Sequence, residues 1–197
     1  LIRLMRLTEL LLHKFNFYIF CLISLLISLY FGENSSGGSY LDYKSTQKFI
    51  EAFDQNLFDG FRWFIINDQI HFPFFYILKY YLIKFFSQPI LHIIYIFLSS
   101  LIPYFLFKSI YLKFPECDKK IILLFSCVVF LSPHFRSSAV WITSDNLGSL
   151  FFILSIYNFI IFSNNKENHF ANVYYSILFL VLATYIRKNN IFFSIIF

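Results

Sequence analysis

The chain has 197 residues, of which 58% are hydrophobic, 23% aromatic and only 14% charged, and its mean hydropathy is +0.66. Soluble domains are about half apolar and about a quarter charged, so this composition excludes an ordinary soluble domain and also intrinsic disorder. The net charge of +5 comes from scattered basic residues without a dense patch, which disfavours a nucleic-acid-binding protein. The composition therefore predicts an integral membrane protein.

Apolar segments about as long as a membrane span follow one another along the chain. A spanning helix needs roughly 20 mostly apolar residues, and the sequence predicts five such helices and the start of a sixth. The expected ranges are 15–31, 89–111, 121–140 with an interruption near 132–133, 147–162, 170–186, and a last one from 191. We therefore predict an all-α, polytopic transmembrane fold. Because residue 1 is Leu and the chain ends within an apolar run, we interpret residues 1–197 as a single transmembrane domain from a longer protein.

Basic residues in the short connections predict the orientation of these helices. No small-residue cleavage site follows the first apolar segment, so we interpret it as a retained helix rather than a signal peptide. With the N-terminus in the cytoplasm, the short connections and the N-terminal segment place eight basic residues in the cytoplasm and three on the other side, as the positive-inside rule requires. The long connection of residues 32–88 is left out of this count, because long loops translocate largely regardless of charge. The eight are Arg3, Arg6, Lys14, Lys108, Lys113, Lys119, Lys120 and Lys166, and the three are Arg136, Arg187 and Lys188.

The longest connection, residues 32–88, is here called the outer loop. It is too long for an ordinary helix connection, and long loops are commonly functional or disordered. Its density of aromatic residues favours order. Apolar residues recur at helical spacing from Leu41 to Phe58, which predicts one amphipathic helix. A second amphipathic stretch, Phe74 to Phe86, is typical of a helix lying in the membrane interface, either with a functional role or as an aromatic anchor.

Ionisable side chains converge on the outer side from four connections. An ionisable group at membrane depth indicates a functional site, and the candidates are Asp42, Asp68, His71, His134, Arg136, Asp145, Arg187 and Lys188. Each also has a purely structural interpretation. The acids could cap helices or form turns, the histidines could be ordinary interface residues, and the cations could be anchors at helix ends.

The sequence lacks the short motifs of several soluble enzyme classes. The sequence has no P-loop, no GxGxxG, no HExxH and no GxSxG motif. Its three cysteines, Cys21, Cys117 and Cys127, show no metal-ligand spacing. Asn34-Ser35-Ser36 fits a glycosylation sequon, which matters only in a eukaryotic host.

The order of these features resembles the membrane-embedded glycosyltransferases of the C superfamily that use polyprenyl- or dolichyl-phosphate sugars. The matching segments are Asp42 in Asp-Tyr-Lys-Ser, His71-Phe72-Pro73 before an aromatic half-helix, Ser132-Pro133 through Ser144-Asp145-Asn146, and Tyr185-Ile-Arg-Lys-Asn-Asn-Ile191. The last segment is similar to the arginine-containing segment of the dolichyl-phosphate-glucose-dependent branch. Two departures stand out, since Asp42 is followed by Tyr43 rather than by Glu, and His71 by Phe72 rather than by Pro.

The resemblance implies transfer of a sugar from a polyprenyl-phosphate donor to a lipid, glycan or protein acceptor on the non-cytoplasmic face. It implies Asp42 as the catalytic base, Arg187 with Arg136 or Lys188 as the phosphate clamp, and Asp68, His71 and Asp145 in the substrate pocket. Some branches also hold a divalent metal, so a metal cofactor stays open. The expected location is the bacterial inner membrane, or the endoplasmic reticulum in a eukaryote. A polytopic transporter or lipid flippase is the alternative, although no internal repeat supports it, and an inactive membrane assembly subunit is a third possibility.

Overall fold

The computed structural model describes residues 16–54, 56–67, 73–164 and 170–195, and all regular structure in these ranges is helical. The α-helices are α1 (Asn16–Phe31), α2 (Ser39–Glu51), α3 (Leu57–Asn67), α4 (Phe74–Phe85), α5 (Gln88–Lys113), α6 (Lys119–Cys127), α7 (Pro133–Val140), α8 (Ser144–Asn164) and α9 (Phe170–Ile186). Two 3-10 helices follow α6 and α9, at Val128–Leu131 and Lys188–Ile195. The prediction of an all-α fold is confirmed for these ranges.

Within the described ranges, two helices are long and apolar enough to cross a membrane. They are α5, with 26 residues, and α8, with 21 residues. At 1.5 Å per residue, α5 is about 39 Å long, more than the roughly 30 Å of a hydrocarbon core. The bent pair formed by α6 with its 3-10 extension and α7 could be a third span, whereas α1 and α9 are shorter apolar helices.

The bend of 67° between Leu131 and Pro133 has a local cause. Proline disfavours the helical conformation in the residue before it, and Ser132 accordingly has an extended backbone. The side chain of Ser132 then accepts a hydrogen bond from the Phe135 amide, which caps the start of α7. The interruption expected near 132–133 lies at this residue.

The prediction of a single amphipathic helix from Leu41 to Phe58 is wrong. The chain turns after Glu51, and α3 begins at Leu57. Asn56 caps the new helix, since its side-chain oxygen accepts from the Asp59 amide at 2.7 Å. Phe53 in the turn is buried under α3, where Gly60 leaves space for its ring.

Aromatic side chains join the three helices of the outer loop into one unit. Phe49 of α2 lies 5.6 Å from Phe64 of α3 and 5.0 Å from Tyr76 of α4, measured between ring centroids. Phe64 also contacts Tyr76, at 5.3 Å. Such ring pairs each contribute about 0.5–1.5 kcal/mol beyond the area that they bury. In this arrangement α2 packs on α4 and α7, and α8 packs on α5 and α9.

Candidate functional site

A cavity of about 250 Å³ lies where the outer loop meets the ends of α8 and α9. We call it the Asp42 cavity. Its wall comes from four segments and combines polar side chains with three aromatic rings. Its residues are Asp42, Ser45, Thr46, Phe49, Phe75, Tyr76, Thr143, Ser144, Asp145 and Arg187. Three of the side chains that the sequence singled out, Asp42, Asp145 and Arg187, are therefore brought together.

Asp145 and Arg187 form an ion pair at the base of this cavity. Asp145 Oδ1 accepts from Arg187 Nη2. Asp145 Oδ2 accepts from the Thr143 hydroxyl at 3.2 Å and lies 3.5 Å from Nε2 of His134. The Asp145 side chain is only 12% exposed and the Arg187 side chain 35% exposed. Both carboxylate oxygens of Asp145 are thus occupied by partners, whereas part of the Arg187 guanidinium remains accessible.

Arg187 is positioned by the C-terminal end of α9 and by a glycine on α8. Its amide donates to the Ala183 carbonyl at 2.8 Å, which closes the last turn of α9. A Cβ atom at Gly148 would lie 2.9 Å from Arg187 Cβ and 3.3 Å from Nδ2 of Asn190. Only a residue without a side chain lets the segment after α9 pack this closely on α8.

Asp42 differs from Asp145 in having no partner among the residues that the structure describes. It lies in the first turn of α2, whose N-cap is Gly38, so it is a first-turn acid and not the cap. There the partial positive charge of the helix N-terminus favours a carboxylate. The Asp42 carboxylate forms no hydrogen bond or ion pair with any residue that the structure describes, and it is exposed to the cavity.

Two side chains of α5 form hydrogen bonds with the turn between α7 and α8 and with the start of α8, where Asp145 lies. Ile142, between α7 and α8, is buried and has a positive φ of 50°, which a β-branched residue rarely adopts. The Tyr95 hydroxyl donates to the Thr143 carbonyl and accepts from the Leu147 amide at 3.2 Å. His92 Nδ1 donates to the Val140 carbonyl at 2.6 Å. Sequence analysis missed both α5 residues, because a Tyr and a His within an apolar helix carry no motif.

Arg136 lies elsewhere, in an ion pair with Glu33. Its Nε and Nη2 atoms donate to the two carboxylate oxygens of Glu33 at 2.9 and 2.8 Å. Nη1 donates to the Ser24 hydroxyl at 3.1 Å and to the Phe130 carbonyl at 3.2 Å. The guanidinium lowers the pKa of Glu33 to about 2 by hydrogen bonding. Arg136 thus joins α1 to α7 and does not line the Asp42 cavity.

A second cavity, of about 480 Å³, adjoins the ion pair and is called the Asn190 cavity. Asp145 and Arg187 line it as well as the Asp42 cavity, and its polar wall includes Ser132, His134 and Asn190. Lys188 lines neither cavity and is exposed. Asp68 and His71 lie outside the described residues, so their expected place in the pocket stays a prediction.

The described acids and histidines do not assemble a metal site. Within residues 16–54, 56–67, 73–164 and 170–195, no three His, Cys, Asp or Glu side chains are grouped as metal ligands. His134 and Asp145 are near each other, but Asp145 is already paired with Arg187, whose positive charge would repel a cation. This donor set does not fit a divalent metal.

Comparisons with known proteins leave the chemistry to be argued from this geometry. No protein-family model, curated protein or solved structure matches the chain significantly. The functional assignment therefore depends on the two cavities and on the three charged side chains around them.

Proposed function

We propose that the protein is a multi-pass membrane glycosyltransferase that moves a sugar from a polyprenyl-phosphate donor to an acceptor hydroxyl. The observation that carries the proposal is the pairing pattern in the Asp42 cavity. One carboxylate, Asp42, has no partner among the described residues, and it shares the cavity with an arginine that keeps unused donors. A free base and a cation on one small cavity suit displacement of a phosphate by a hydroxyl.

Asp42 is the proposed general base. The acceptor hydroxyl attacks the anomeric carbon of the sugar, the bond from that carbon to the phosphate oxygen breaks, and the hydroxyl proton passes to the Asp42 carboxylate. General-base catalysis of this kind contributes about 10²–10⁴-fold to the rate. Asp145 is unsuited to this role because Arg187 and Thr143 occupy its oxygens.

Arg187 is the proposed clamp for the phosphate that leaves. Negative charge grows on the phosphate as its bond to the sugar breaks, and the planar guanidinium can donate paired hydrogen bonds to phosphate oxygens. Apart from its pair with Asp145, the Arg187 side chain donates to no residue that the structure describes. Its position between the two cavities lets the phosphate approach from the Asn190 cavity while the acceptor enters beside Asp42.

The proposed location is a membrane, with the site at its non-cytoplasmic surface. The two long apolar helices and the bent pair can supply spans. The positive-inside rule puts the outer loop, the connection between α7 and α8, and the segment after α9 on the outer side. These are the segments that line the Asp42 cavity. The aromatic rings of Phe75 and Tyr76 then lie at the depth of the lipid headgroups.

The decisive experiment compares Asp42→Asn with wild type in the full-length protein. Purified protein in detergent is supplied with a panel of radiolabelled polyprenyl-phosphate hexoses and pentoses and with a lipid extract as acceptor. The amide keeps the size and the helix-start preference of the acid but cannot accept the proton. We expect transfer to fall by about 10²-fold or more at unchanged thermal stability.

Asp118→Asn is the matched control. Asp118 caps α6, with its carboxylate accepting from the Lys120 amide at 2.8 Å, and it lies outside both cavities. It should keep full transfer. Near-wild-type transfer by folded Asp42→Asn would refute the proposed base. Movement of intact donor lipid across vesicles without any transfer would instead favour the flippase.

A further inference from the structure

A third concave surface lies on the outer loop, between α2 and α3. This groove of about 420 Å³ is lined by Lys48, Glu51, Ala52, Asp59 and Trp63, and we call it the Trp63 groove. Lys48 and Glu51 are three residues apart on α2, and Asp59 and Trp63 are four residues apart on α3. Each pair therefore lies on one face of its helix, and the turn after Glu51 places the two faces together.

The charged side chains of this groove have few partners among the described residues. Lys48 and Glu51 are exposed and form no ion pair or side-chain hydrogen bond with the part of the chain that the structure describes. Asp59 shares one carboxylate oxygen with the Asn56 amide. Three charged groups around one groove without a mutual ion pair leave most of their hydrogen-bonding capacity unused.

Trp63 presents an aromatic surface to these charges. It is 38% exposed, and its ring centroid lies 5.5 Å from that of Phe49, in an edge-to-face arrangement that fixes its orientation. Ile66, three residues after Trp63, is exposed close to it, whereas two other strongly exposed apolar residues of α3, Phe58 and Ile65, lie on a different helical face. A simple membrane anchor would lie among those residues, whereas Trp63 lies among carboxylates and an ammonium group.

A fixed indole beside acids and a lysine matches the chemistry of a sugar. The C–H bonds on one face of a pyranose ring form an apolar surface that packs on an aromatic ring. The ring hydroxyls donate to carboxylates and accept from an ammonium group. Ligand sites typically combine aromatic walls with a few polar groups in a volume of about 300–1,000 Å³. The Trp63 groove has the composition and the size for one or two sugar units.

The groove is connected to the Asp42 cavity through one residue. Phe49 lines the Asp42 cavity and contacts Trp63, and its chain neighbour Lys48 lines the groove. We propose that the Trp63 groove binds a sugar unit of the acceptor, so that the acceptor of this protein is a glycan. The role as acceptor site rests on the proposed transferase function, whereas sugar binding in the groove does not.

Tryptophan fluorescence provides a direct test, because the chain has two tryptophans. Trp141 lies apart from the groove, with Nε1 donating to the Glu33 carbonyl at 2.8 Å. In Trp141→Phe, Trp63 is the only tryptophan of this chain, and we titrate it with methyl glucoside, methyl mannoside, maltotriose and chitobiose. We expect a saturable change in emission with at least one of them. Trp63→Phe, which keeps Trp141, should show no change.

Variants of the polar residues, made in the Trp141→Phe background, test whether the sugar binds in the groove or elsewhere on the outer loop. Glu51→Gln and Asp59→Asn should each weaken sugar binding about three- to tenfold, because they remove charge-assisted hydrogen bonds. Asp54→Asn is the matched control, since this exposed acid of the same turn does not line the groove. If Trp141→Phe does not fold, saturation-transfer NMR of maltotriose with wild type and Trp63→Ala gives the same comparison, with about a tenfold loss expected for the variant.

The outcomes distinguish this inference from the proposed function. Absence of saturable binding for every sugar, or an equal response to glycerol, overturns the groove as a sugar site and leaves the Asp42 experiment unaffected. Sugar binding that Asp54→Asn weakens as strongly as Asp59→Asn also overturns it. Sugar binding together with wild-type transfer by Asp42→Asn supports the groove and removes the proposed base.

Discussion

Lys79 is the least expected side chain of the outer loop, and replacing it provides the sharpest test of the packing. It lies on α4 with 3% of its surface exposed, and its Nζ atom forms no hydrogen bond with the described residues. In the described part of the chain its favourable partner is the ring of Tyr43, whose centroid lies 4.4 Å from Nζ. The side chains around it, such as Leu82, Leu91 and Leu147, are apolar.

Burial lowers the pKa of Lys79 from its ordinary value of 10.5 to about 7. That difference, at about 1.36 kcal/mol for each pKa unit, corresponds to about 5 kcal/mol. Between pH 7 and 10.5 the unfolded chain holds the proton and the folded chain does not, so stability rises with pH across this window. Below pH 7 both states are protonated and the full cost is present, whereas above pH 10.5 it disappears.

We therefore expect Lys79→Met to be more stable than wild type at pH 6. Methionine has a similar length and no charge to bury, while the lost contact with Tyr43 offsets about 0.5–2 kcal/mol of the gain. A net gain of about 3 kcal/mol at pH 6 should fall to zero or below near pH 10.5. The measurement is denaturant unfolding in detergent micelles from pH 6 to 10.5.

Lys84→Met is the control, because Lys84 lies on the same helix and is exposed to solvent. Its hydrogen bond to the Tyr80 hydroxyl raises its pKa, so it loses its proton only above the pH range of the experiment. It should leave the pH dependence of unfolding as in wild type. Parallel pH profiles for Lys79→Met and wild type would show that the Lys79 ammonium is not buried as described, and would refute the packing of α4 on α2 and α5.

Three further predictions concern the supports of the site. Gly148→Ala should displace Arg187 and lower transfer at least tenfold, since the new methyl lies 2.9 Å from Arg187 Cβ. The control Gly38→Ala places its methyl in open space and should leave transfer unchanged. The transfer assay measures both variants. Tyr95→Phe should lower the free energy of unfolding by about 1–3 kcal/mol, because the Thr143 carbonyl loses its donor, and equal stability would contradict this. The pKa of Glu33 is depressed to about 2, so wild type should lose about 1–2 kcal/mol of stability as pH falls from about 4.5 to 2. Glu33→Gln should lack that loss in acid unfolding experiments, and an unchanged acid profile would argue against the ion pair.

Helical periodicity in the sequence predicted most helices but not every boundary. A 3.6-residue apolar pattern continued from Leu41 to Phe58, and periodicity alone contains no information on a turn within it. The signal that ends the pattern is Asn56 followed by Asp59, a helix-start spacing that lies inside the periodic stretch. Aromatic residues such as Phe53 satisfy the pattern equally well in a helix or in a buried turn.

The sequence predicted where the candidate site lies better than it predicted which side chains pair with one another there. Loop charges placed Asp42, Asp145 and Arg187 on one side, and the structure places them on one cavity. The sequence kept Arg136 as a possible companion of Arg187 in the phosphate clamp, since both come after apolar segments on the same side. The difference is the partner of Arg136, Glu33, which lies 103 residues away in the chain. Long-range pairing of this kind depends on tertiary packing and leaves no local pattern.

The two aspartates of the cavity show why partners, and not residue type, decide the chemical roles. Both lie in the first turn of a helix, where the helix dipole favours a carboxylate equally. Asp145 is largely enclosed, with 12% of its side chain exposed, and its oxygens accept from Arg187 and Thr143, so moving a proton to it would first require breaking that pair. Asp42 is exposed to the same cavity and has no such partner within the described ranges, so the proposed proton transfer to it breaks no ion pair there. The ion pair thus holds the cation in place, and the second carboxylate is the one available for the proposed role of base.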